Sequence, residues 1–372
     1  MDQEKDKKGR SALKVNSGIE QPEAVNKDAV NLFKARKRRK ITASEYAEGI
    51  LNGNRTMLGQ AITLIESSLP DHQEQAREIV EQCLPHSGNS IRIGITGVPG
   101  VGKSTFIESL GSYLTSKGNK LGVLAIDPSS ERSKGSILGD KTRMEKLSSD
   151  PDAFIRPSPS AGSLGGVAKK TRETIILCEA AGFNILFIET VGVGQSETAV
   201  HSMVDFFLLL MLAGAGDELQ GIKRGIMEMA DAIAINKADG SNIEKAGMAK
   251  AEYKNALHLF PPTESGWIPE VMTCSARTQQ GIDTIWETVE RYAQFTRNNG
   301  YFHKRRKDQA SYWMHETINE NLRNNFYNNA FYANKLKEYE KAVFNGKMTS
   351  FEAARKLIES YFNGISQKNH SI

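Results

Sequence analysis

The sequence predicts an α/β fold in which a mostly parallel sheet carries helices on both faces, with helical extensions at both ends. Short, continuously apolar segments alternate with segments of helical periodicity, which is typical of buried parallel strands joined by crossover helices. Polar and glycine-rich motifs follow these apolar segments. Because parallel sheets bind ligands at the carboxyl ends of their strands, the motifs predict one site along that edge.

Composition is that of a soluble globular protein: 372 residues, 39% hydrophobic and 25% charged. The longest apolar run, residues 206–213, is far shorter than the roughly 20 residues of a membrane-spanning helix, so we expect a buried strand and no membrane association. The first residues are acidic and lack an apolar leader, which predicts a cytoplasmic protein. Three cysteines without a CxxC pair predict reduced, mostly buried thiols: Cys83, Cys178 and Cys274.

Positive charge is concentrated at the start of the chain. The net charge is +4, but residues 1–40 hold 12 Lys/Arg and 6 Asp/Glu, so this arm carries +6 and the remainder −2. We expect a disordered, basic arm that faces solvent or an acidic partner. Its basic run, residues 34–40, has no interleaved aromatic residues, which disfavours nucleic-acid binding but leaves it as an alternative.

The chain is predicted to divide into four parts: the arm at 1–40, a helical segment at 41–88, a nucleotide-binding domain at 89–297 and a helical extension at 298–372. Apolar periodicity predicts two N-terminal helices broken at residues 52–54 and a third at 71–83. Strands are predicted at 91–96, 121–127, 184–189, 205–212, 231–236 and 270–273. Helices are predicted at 105–117, 164–181, 219–229, 244–257, 282–295, 311–325, 329–344 and 349–362.

A phosphate-binding loop follows the first strand. Its residues, with the start of the next helix, are Gly97, Val98, Pro99, Gly100, Val101, Gly102, Lys103, Ser104 and Thr105. The glycines allow the backbone to curl so that successive N–H groups cradle a phosphate at the positive end of a helix. Lys103 is predicted to reach the β- and γ-phosphate oxygens and Ser104 to bind Mg²⁺. This strand, loop and helix predict a P-loop NTPase domain.

Base recognition is predicted at Asn236-Lys237-Ala238-Asp239, directly after a buried strand. The Asp239 carboxylate can accept from the ring N–H and the exocyclic amine of guanine, whereas adenine would leave the charge unpaired. Lys237 can lay its stem along the base, and Asn236 can tie neighbouring loops together. The loop after the last strand contains Ser275, Ala276 and Arg277 and is predicted to offer backbone N–H groups to the guanine oxygen. A plain turn at the start of a helix is the alternative.

A carboxylate, Glu189, closes another buried strand and is predicted to join the Mg²⁺ shell or to orient the attacking water. Gly192, three residues on, can offer its N–H to the γ-phosphate. Most GTPases have Asp at the first position and a water-orienting Gln directly after the glycine. Here Gln195 lies two residues beyond that point, so we expect slow intrinsic hydrolysis.

Three further residues complete the predicted catalytic and metal set. Asp127 and Asp140 are candidates for the Mg²⁺ or water shell, with helix capping as the alternative for each. Lys223, or Arg224 beside it, could supply positive charge to the transition state; a solvated helix start is the alternative. The predicted catalytic residues are thus Lys103, Asp127, Glu189 and Lys223, and the predicted metal ligands are Ser104, Asp127, Asp140 and Glu189.

These motifs resemble those of the methylmalonyl-CoA mutase-associated GTPases, the MeaB/ArgK family that includes human MMAA. The resemblance extends from about residue 47 to residue 295 through GITGVPGVGKST, AIDPSS, ILGDKTRM, IETVGVGQSE, GAGDELQGIKRGIMEMAD and NKAD. It places the family's Mg²⁺ and switch positions on Ser104, Asp127, Asp140 and Glu189, and its third switch on 220–223. Two departures, the charged residues 131–134 and the basic arm, bear on switch timing and partner docking.

The resemblance implies a SIMIBI-class G domain and a homodimer formed through the C-terminal helices. It also implies a partner, an adenosylcobalamin-dependent acyl-CoA mutase of the methylmalonyl-CoA mutase type. GTP binding and hydrolysis would gate cofactor delivery to that mutase and protect it from inactivation. The sequence does not specify which acyl-CoA mutase this is.

Two other enzyme classes compete with this interpretation. A P-loop kinase that phosphorylates a protein or small molecule is disfavoured by the guanine-selective Asp239 and by the absence of an arginine-rich acceptor lid. A nickel-insertion GTPase would need a cluster of Cys and His ligands, which the sequence lacks.

Overall fold

A computed structural model describes residues 41–126, 144–157, 164–190, 196–214 and 224–369. The described chain from Thr42 onward belongs to one compact unit. The domain boundaries given above stay predictions.

A seven-stranded sheet forms the centre of this unit, and every pairing between its strands is parallel. The spatial order is β3-β2-β4-β1-β5-β6-β7. The strands are β1 (Ile91–Gly97), β2 (Leu121–Ile126), β3 (Ala153–Arg156), β4 (Ile185–Thr190), β5 (Phe206–Leu212), β6 (Ala232–Asn236) and β7 (Glu270–Thr273). The predicted α/β fold is confirmed.

Among the strands of the described residues, β3 is the one that the pattern analysis missed; it also missed the two short helices at Glu145–Ser149 and Ser196–His201. Strand β3 has four residues, lies at the edge of the sheet and is only partly buried. A short edge strand needs no continuous apolar run, because one of its long sides has no neighbouring strand to exclude water. Its sequence therefore lacks the signal by which the six other strands were predicted.

Helices pack on the sheet in two groups. One group contains α4 and α10, which contact each other and lie against β1, β2 and β5; the other contains α6 and α7, which contact β1, β2 and β4. The helices of this part are α4 (Lys103–Ser116), α5 (Glu145–Ser149), α6 (Leu164–Ala180), α7 (Ser196–His201), α8 (Arg224–Glu228), α9 (Ile243–Leu257) and α10 (Ile282–Asn298). Large side chains with no exposed surface fill the space between the layers, among them Phe106, Phe187, Phe206 and Phe207.

Three helices precede the sheet: α1 (Ala43–Leu51), α2 (Arg55–Glu66) and α3 (Pro70–Cys83). The break between the first two lies where Asn52, Gly53 and Asn54 predict it, and the Asn54 side chain accepts from the first N–H groups of α2. Arg55 donates to three carbonyl oxygens at β3, and Glu66 pairs with Arg156 of that strand. These contacts fasten the N-terminal helices to the sheet edge.

Three helices follow the domain: α11 (Tyr301–Tyr327), α12 (Ala330–Phe344) and α13 (Ser350–Asn369). Helix α11 begins ten residues before the predicted start at 311. The stretch 303–308 is so highly charged that its sequence resembles a solvated linker, yet Arg305 and Arg306 are buried against acidic residues. Their pairing depends on distant parts of the chain, which local periodicity does not report.

The C-terminal helices are only partly covered by the rest of the chain. The first half of α11 packs on the domain, whereas the aromatic rings of Phe326, Tyr332 and Tyr361 pack on one another between α11, α12 and α13. Several large apolar side chains of these helices are exposed: Met314, Leu322, Tyr327, Phe331, Phe344, Phe351, Ile358 and Phe362.

None of the helices within the described residues is long and apolar enough to cross a membrane. The three cysteines are free, buried thiols, as their spacing predicts.

Candidate nucleotide-binding site

The phosphate-binding loop lies between the carboxyl end of β1 and the start of α4. Gly97 is required by close packing, because a Cβ there would lie 2.4 Å from the carbonyl oxygen of Leu210 in β5. Gly102, the N-cap of α4, has φ +90°, a left-handed conformation that glycine adopts without strain. Ser104 and Thr105 lie in the first turn of α4, so the predicted loop geometry is present.

Lys103 begins α4 and turns back over its own loop. Its Nζ donates to the carbonyl oxygen of Gly97 at 2.8 Å. Burial lowers the pKa of Lys103, and the negative charges of Glu189 and Glu197 partly oppose this shift. The ammonium group therefore lies between a backbone oxygen and two nearby carboxylates, at the mouth of the loop that is predicted to bind phosphate.

Glu189 is near the end of β4, in register with Ile95 of β1 and Ala125 of β2. Its side chain is only 4% exposed. The next residue, Thr190, places its hydroxyl 2.8 Å from that of Thr96 in β1, and both threonines are buried. The neighbouring strand ends therefore hold this carboxylate close to the phosphate loop.

Asn236 ends β6 and joins three loops. Its Nδ2 donates to the carbonyl oxygen of Val101 at 2.8 Å, and its Oδ1 accepts from the Ala276 N–H at 3.1 Å and from the Cys274 thiol at 3.6 Å. Lys237 follows with φ +59°, and its Nζ donates to the Gly100 carbonyl oxygen at 2.8 Å. A left-handed lysine is strained, and such strain concentrates at binding sites. The loop from Asn236 to Asp239, called the base loop, is thus hydrogen-bonded directly to the phosphate loop. The loop from Ser275 to Arg277 is the second base loop.

Asp239 is half-buried and is held by Ser275, whose Oγ donates to its Oδ2. The same Oγ accepts from the Thr278 N–H at 3.1 Å. Ser275 thereby fixes the direction of the carboxylate that is predicted to read the base. Sequence reasoning assigned this loop only its backbone N–H groups, and the Ala276 N–H is directed at Asn236 Oδ1. Arg277 is exposed at the edge of the same loop.

Four predicted site residues lie outside the described part of the chain: Asp127, Asp140, Gly192 and Lys223. The structure brings together the remaining predicted residues, from Gly97 to Thr105 with Glu189 and the two base loops. It also adds Glu197, which sequence analysis missed. Glu197 lies in the first turn of α7, is 1% exposed and acts electrostatically on Lys103. Its one signal in the sequence is an acid at a helix start close behind Glu189.

Oxygen donors suited to Mg²⁺ are available in the described residues, namely the Ser104 hydroxyl and the Glu189 carboxylate. The same residues contain no group of three or more His, Cys, Asp or Glu side chains that could enclose a metal ion by themselves. The two oxygen donors fit a cation that phosphate oxygens and water also bind, as they bind Mg²⁺ in nucleotide sites.

Comparisons with known proteins agree with this geometry. The family described as methylmalonyl Co-A mutase-associated GTPase MeaB matches residues 58–330. The GTPase ArgK of Escherichia coli is 43% identical over 86% of this chain and 96% of its own length. The mitochondrial methylmalonic aciduria type A homolog of Mus musculus is 44% identical over 84% of this chain and 78% of its own.

A solved structure described as LAO/AO transport system kinase superposes with a TM-score of 0.70 at 36% identity, over 87% of this chain and 99% of that one. The resemblance inferred from the motifs is therefore confirmed. The chain belongs to the methylmalonyl-CoA mutase-associated GTPase family, MeaB, and is a GTPase with a P-loop fold.

Proposed function

We propose that this GTPase gates the delivery of adenosylcobalamin to a methylmalonyl-CoA mutase-type acyl-CoA mutase, and protects that mutase from inactivation. The observation that carries the proposal is the direct connection between base loop and phosphate loop through Asn236. One pocket can thereby report both the identity of the base and the length of the phosphate chain. The family description names the mutase association, which supports the choice of partner.

In the proposed complex, phosphate oxygens replace the Gly97 carbonyl oxygen as the acceptor of the hydrogen bond from the Lys103 ammonium group. This exchange replaces a neutral acceptor with a charged one, which strengthens the hydrogen bond. Backbone N–H groups of Gly100, Gly102, Lys103 and Ser104 surround the same phosphates. Lys103 then neutralises charge that develops on the β- and γ-oxygens during hydrolysis.

Mg²⁺ would be held by Ser104 and Glu189, with Asp127 and Asp140 as further proposed ligands. When bound, the cation withdraws negative charge from the phosphate oxygens. Glu189 is well suited to this place because the strand ends around it exclude most water from its carboxylate. Gly192 and Lys223 keep their proposed roles toward the γ-phosphate and the transition state.

Guanine selectivity is assigned to Asp239, oriented by Ser275. Guanine offers two N–H donors to this carboxylate, whereas adenine offers none at the matching positions. Replacing Asp239 by Asn should reduce the preference for GTP over ATP, and calorimetry with both nucleotides measures this. An unchanged preference would contradict the assignment.

We also propose that the protein is a homodimer through its C-terminal helices. Exposed apolar side chains are numerous on α11, α12 and α13, Phe344 and Phe351 above all, and Tyr327, Phe344 and Ile358 line one groove between these helices. Sedimentation at several concentrations, with Phe344→Ser/Phe351→Ser as the disrupting variant, tests this.

The gating role is tested by two measurements. In the first, the tagged protein is used to recover partners from its native cell with GDP or with a non-hydrolysable GTP analogue; we expect a cobalamin-dependent mutase whose recovery depends on the nucleotide. In the second, adenosylcobalamin transfer to that mutase is followed by absorbance, with labelled GTP present to identify products. Transfer that proceeds equally with either nucleotide would refute gating, and a phosphorylated product other than free phosphate would indicate a kinase.

A further inference from the structure

Side chains on one face of α11 form hydrogen bonds to the segment that leads from α7 into β5, residues 201–205. The residues of this α11 stripe are Arg305, Arg306, Gln309 and Trp313, spaced so that they lie on one side of the helix. Arg305 donates to the carbonyl oxygen of His201 at 3.5 Å. Trp313 Nε1 donates to that of Ser202 at 3.1 Å.

The same stripe continues along the segment. Gln309 Nε2 donates to the carbonyl oxygen of Val204 at 2.8 Å. Arg306 forms a two-pronged pair with Asp205, Nε to Oδ1 at 2.7 Å and Nη2 to Oδ2 at 2.6 Å. Four side chains from one helix therefore contact four of the five residues 201–205.

These contacts are buried or partly buried, and helix α6 supports them from behind. Gln309 and Trp313 are each 7% exposed. Arg172 of α6 donates to the Gln309 carbonyl oxygen at 2.9 Å, and its guanidinium lies 6.0 Å from the centre of the Trp313 ring. Because water reaches these groups only in part, a shift of the segment would break hydrogen bonds that water replaces incompletely.

The Gln309 amide is half-satisfied, which argues for a specific role. Its Nε2 has the Val204 carbonyl, but its Oε1 is buried without a hydrogen-bond partner. An apolar side chain of the same length would avoid the orphaned oxygen, so packing alone does not favour glutamine here. Glutamine contributes the hydrogen bond from its Nε2 to the Val204 carbonyl oxygen, which fixes the segment against α11.

Helix α7 also packs on β1, the strand that leads into the phosphate loop: a Cβ on Gly94 of β1 would lie 2.9 Å from the Val200 side chain of α7 and 3.0 Å from the Val204 side chain of the segment. Glu197, in the first turn of α7, is 1% exposed and acts electrostatically on Lys103 of the phosphate loop. Glu197 lies only four positions before His201, the last residue of α7. One short helix therefore packs on the strand that carries the phosphate loop and is held at its last residue by the α11 stripe.

We propose that the α11 stripe is a positioning device for GTP hydrolysis: it sets where α7 lies relative to Lys103, and so couples the C-terminal helical extension to the nucleotide site. The inference rests on the proposed function, in which Lys103 contacts the β- and γ-phosphates. If the nucleotide displaces α7, the contacts of α7 with α11 change. If a bound partner moves α11, the position of α7 relative to Lys103 changes.

The first experiment removes two hydrogen bonds between α11 and the segment but leaves every charged side chain in place. Gln309→Met keeps the volume of the side chain and Trp313→Phe keeps an aromatic ring, and each deletes the hydrogen-bond donor; Thr317→Val is the matched control. Thr317 lies on the same helix and donates only to the Trp313 carbonyl oxygen of its own helix. We expect kcat for GTP to fall about fivefold in the double variant, with GDP affinity within a factor of about two, and neither to change in the control. Unchanged kcat in a folded double variant would overturn the proposal.

The second experiment uses the full-length protein with its native contacts. The chain has three tryptophans, so 5-fluorotryptophan labelling gives three ¹⁹F signals, and the Trp313→Phe spectrum assigns one of them. We expect the Trp313 signal to differ between the GDP form and the form with a non-hydrolysable GTP analogue. An identical Trp313 signal in the two forms would refute the coupling. Failure to bind GTP at all, measured on the same samples, would refute the proposed function instead.

Discussion

Charged side chains make opposite kinds of contact at the two ends of the parallel strands. The side of the sheet where the strands begin is called the amino edge here, and the side where they end the carboxyl edge. At the amino edge, buried carboxylates are paired with largely buried guanidinium groups: Glu179 with Arg92 at 2.8 Å, and Asp205 with Arg306 at 2.6 Å. At the carboxyl edge, Lys103 and Lys237 donate instead to neutral backbone oxygens, and Asp239 accepts from a neutral hydroxyl.

The difference separates charges that hold the fold from charges that bind a ligand. A buried ion pair is costly to break, because the partner that remains is left charged and desolvated. A charged group bonded to a neutral one can exchange that partner for a phosphate or a base at little cost, since the new bond is stronger. Variants at the two edges should therefore give opposite phenotypes, one in stability and the other in nucleotide binding.

The largest effect is expected at the amino edge. Glu179→Ala leaves the Arg92 guanidinium buried without its partner, so the free energy of unfolding should fall by about 3–5 kcal/mol. Hydrogen bonds and charge from Arg92 outweigh burial and hold the pKa of Glu179 below its ordinary value, which shows that the ionised form is the native one. Urea denaturation measures the loss.

The matched control is Glu74→Ala, which breaks an exposed pair with Arg77 and should cost about 0.5 kcal/mol or less. GDP affinity should be unchanged in both variants, provided that the protein is assayed below its unfolding transition. Weaker GDP binding by folded Glu179→Ala would contradict the division between the two edges.

The reverse phenotype is expected for Lys103→Ala. Loss of a charged donor at the phosphates should lower kcat/KM for GTP by about 100- to 1,000-fold. Thermal stability should not fall, because burial already lowers the pKa of Lys103 and so opposes its charge in the folded state. Lys117→Ala, at the far end of α4, is the control and should match the unchanged protein in both assays.

Acid should destabilise the fold through His201, the last residue of α7. Burial and the nearby Arg305 lower its pKa from 6.5 to about 3, so the unfolded chain takes up the proton first and stability falls as pH drops. Between pH 7 and pH 5 this amounts to about 2 kcal/mol, which His201→Phe should abolish. Asp231 acts in the opposite sense, because burial raises its pKa to about 6. The difference between the variant and the unchanged protein isolates the histidine; equal pH slopes would contradict this.

The smallest effect is expected for Ser275→Ala. Removing the hydroxyl leaves Asp239 without its orienting donor, so GDP affinity should weaken about five- to tenfold. Affinity for ADP should stay the same, since adenine makes no use of this carboxylate. Thr278→Ala, whose side chain is exposed, serves as control. Equal losses for GDP and ADP would indicate that Ser275 supports the loop rather than base selection.

The amino-acid sequence by itself determined the sheet and most of the site. Six of the seven described strands, the phosphate loop and Asn236 to Asp239 were predicted because a buried strand, a glycine-dependent turn and a helix start each depend on residues close together in the chain. The local pattern is the cause of these structures, so it also reports them.

Only the tertiary structure decided the rest. The burial of Arg305 and Arg306, the edge strand β3, the orientation of Asp239 by Ser275 and the approach of Glu197 to Lys103 all join residues that lie far apart in the chain. A charged side chain has the same local sequence signature in water as in a buried pair. Which of the two it becomes depends on what the fold places opposite it, and at the amino edge that is a carboxylate.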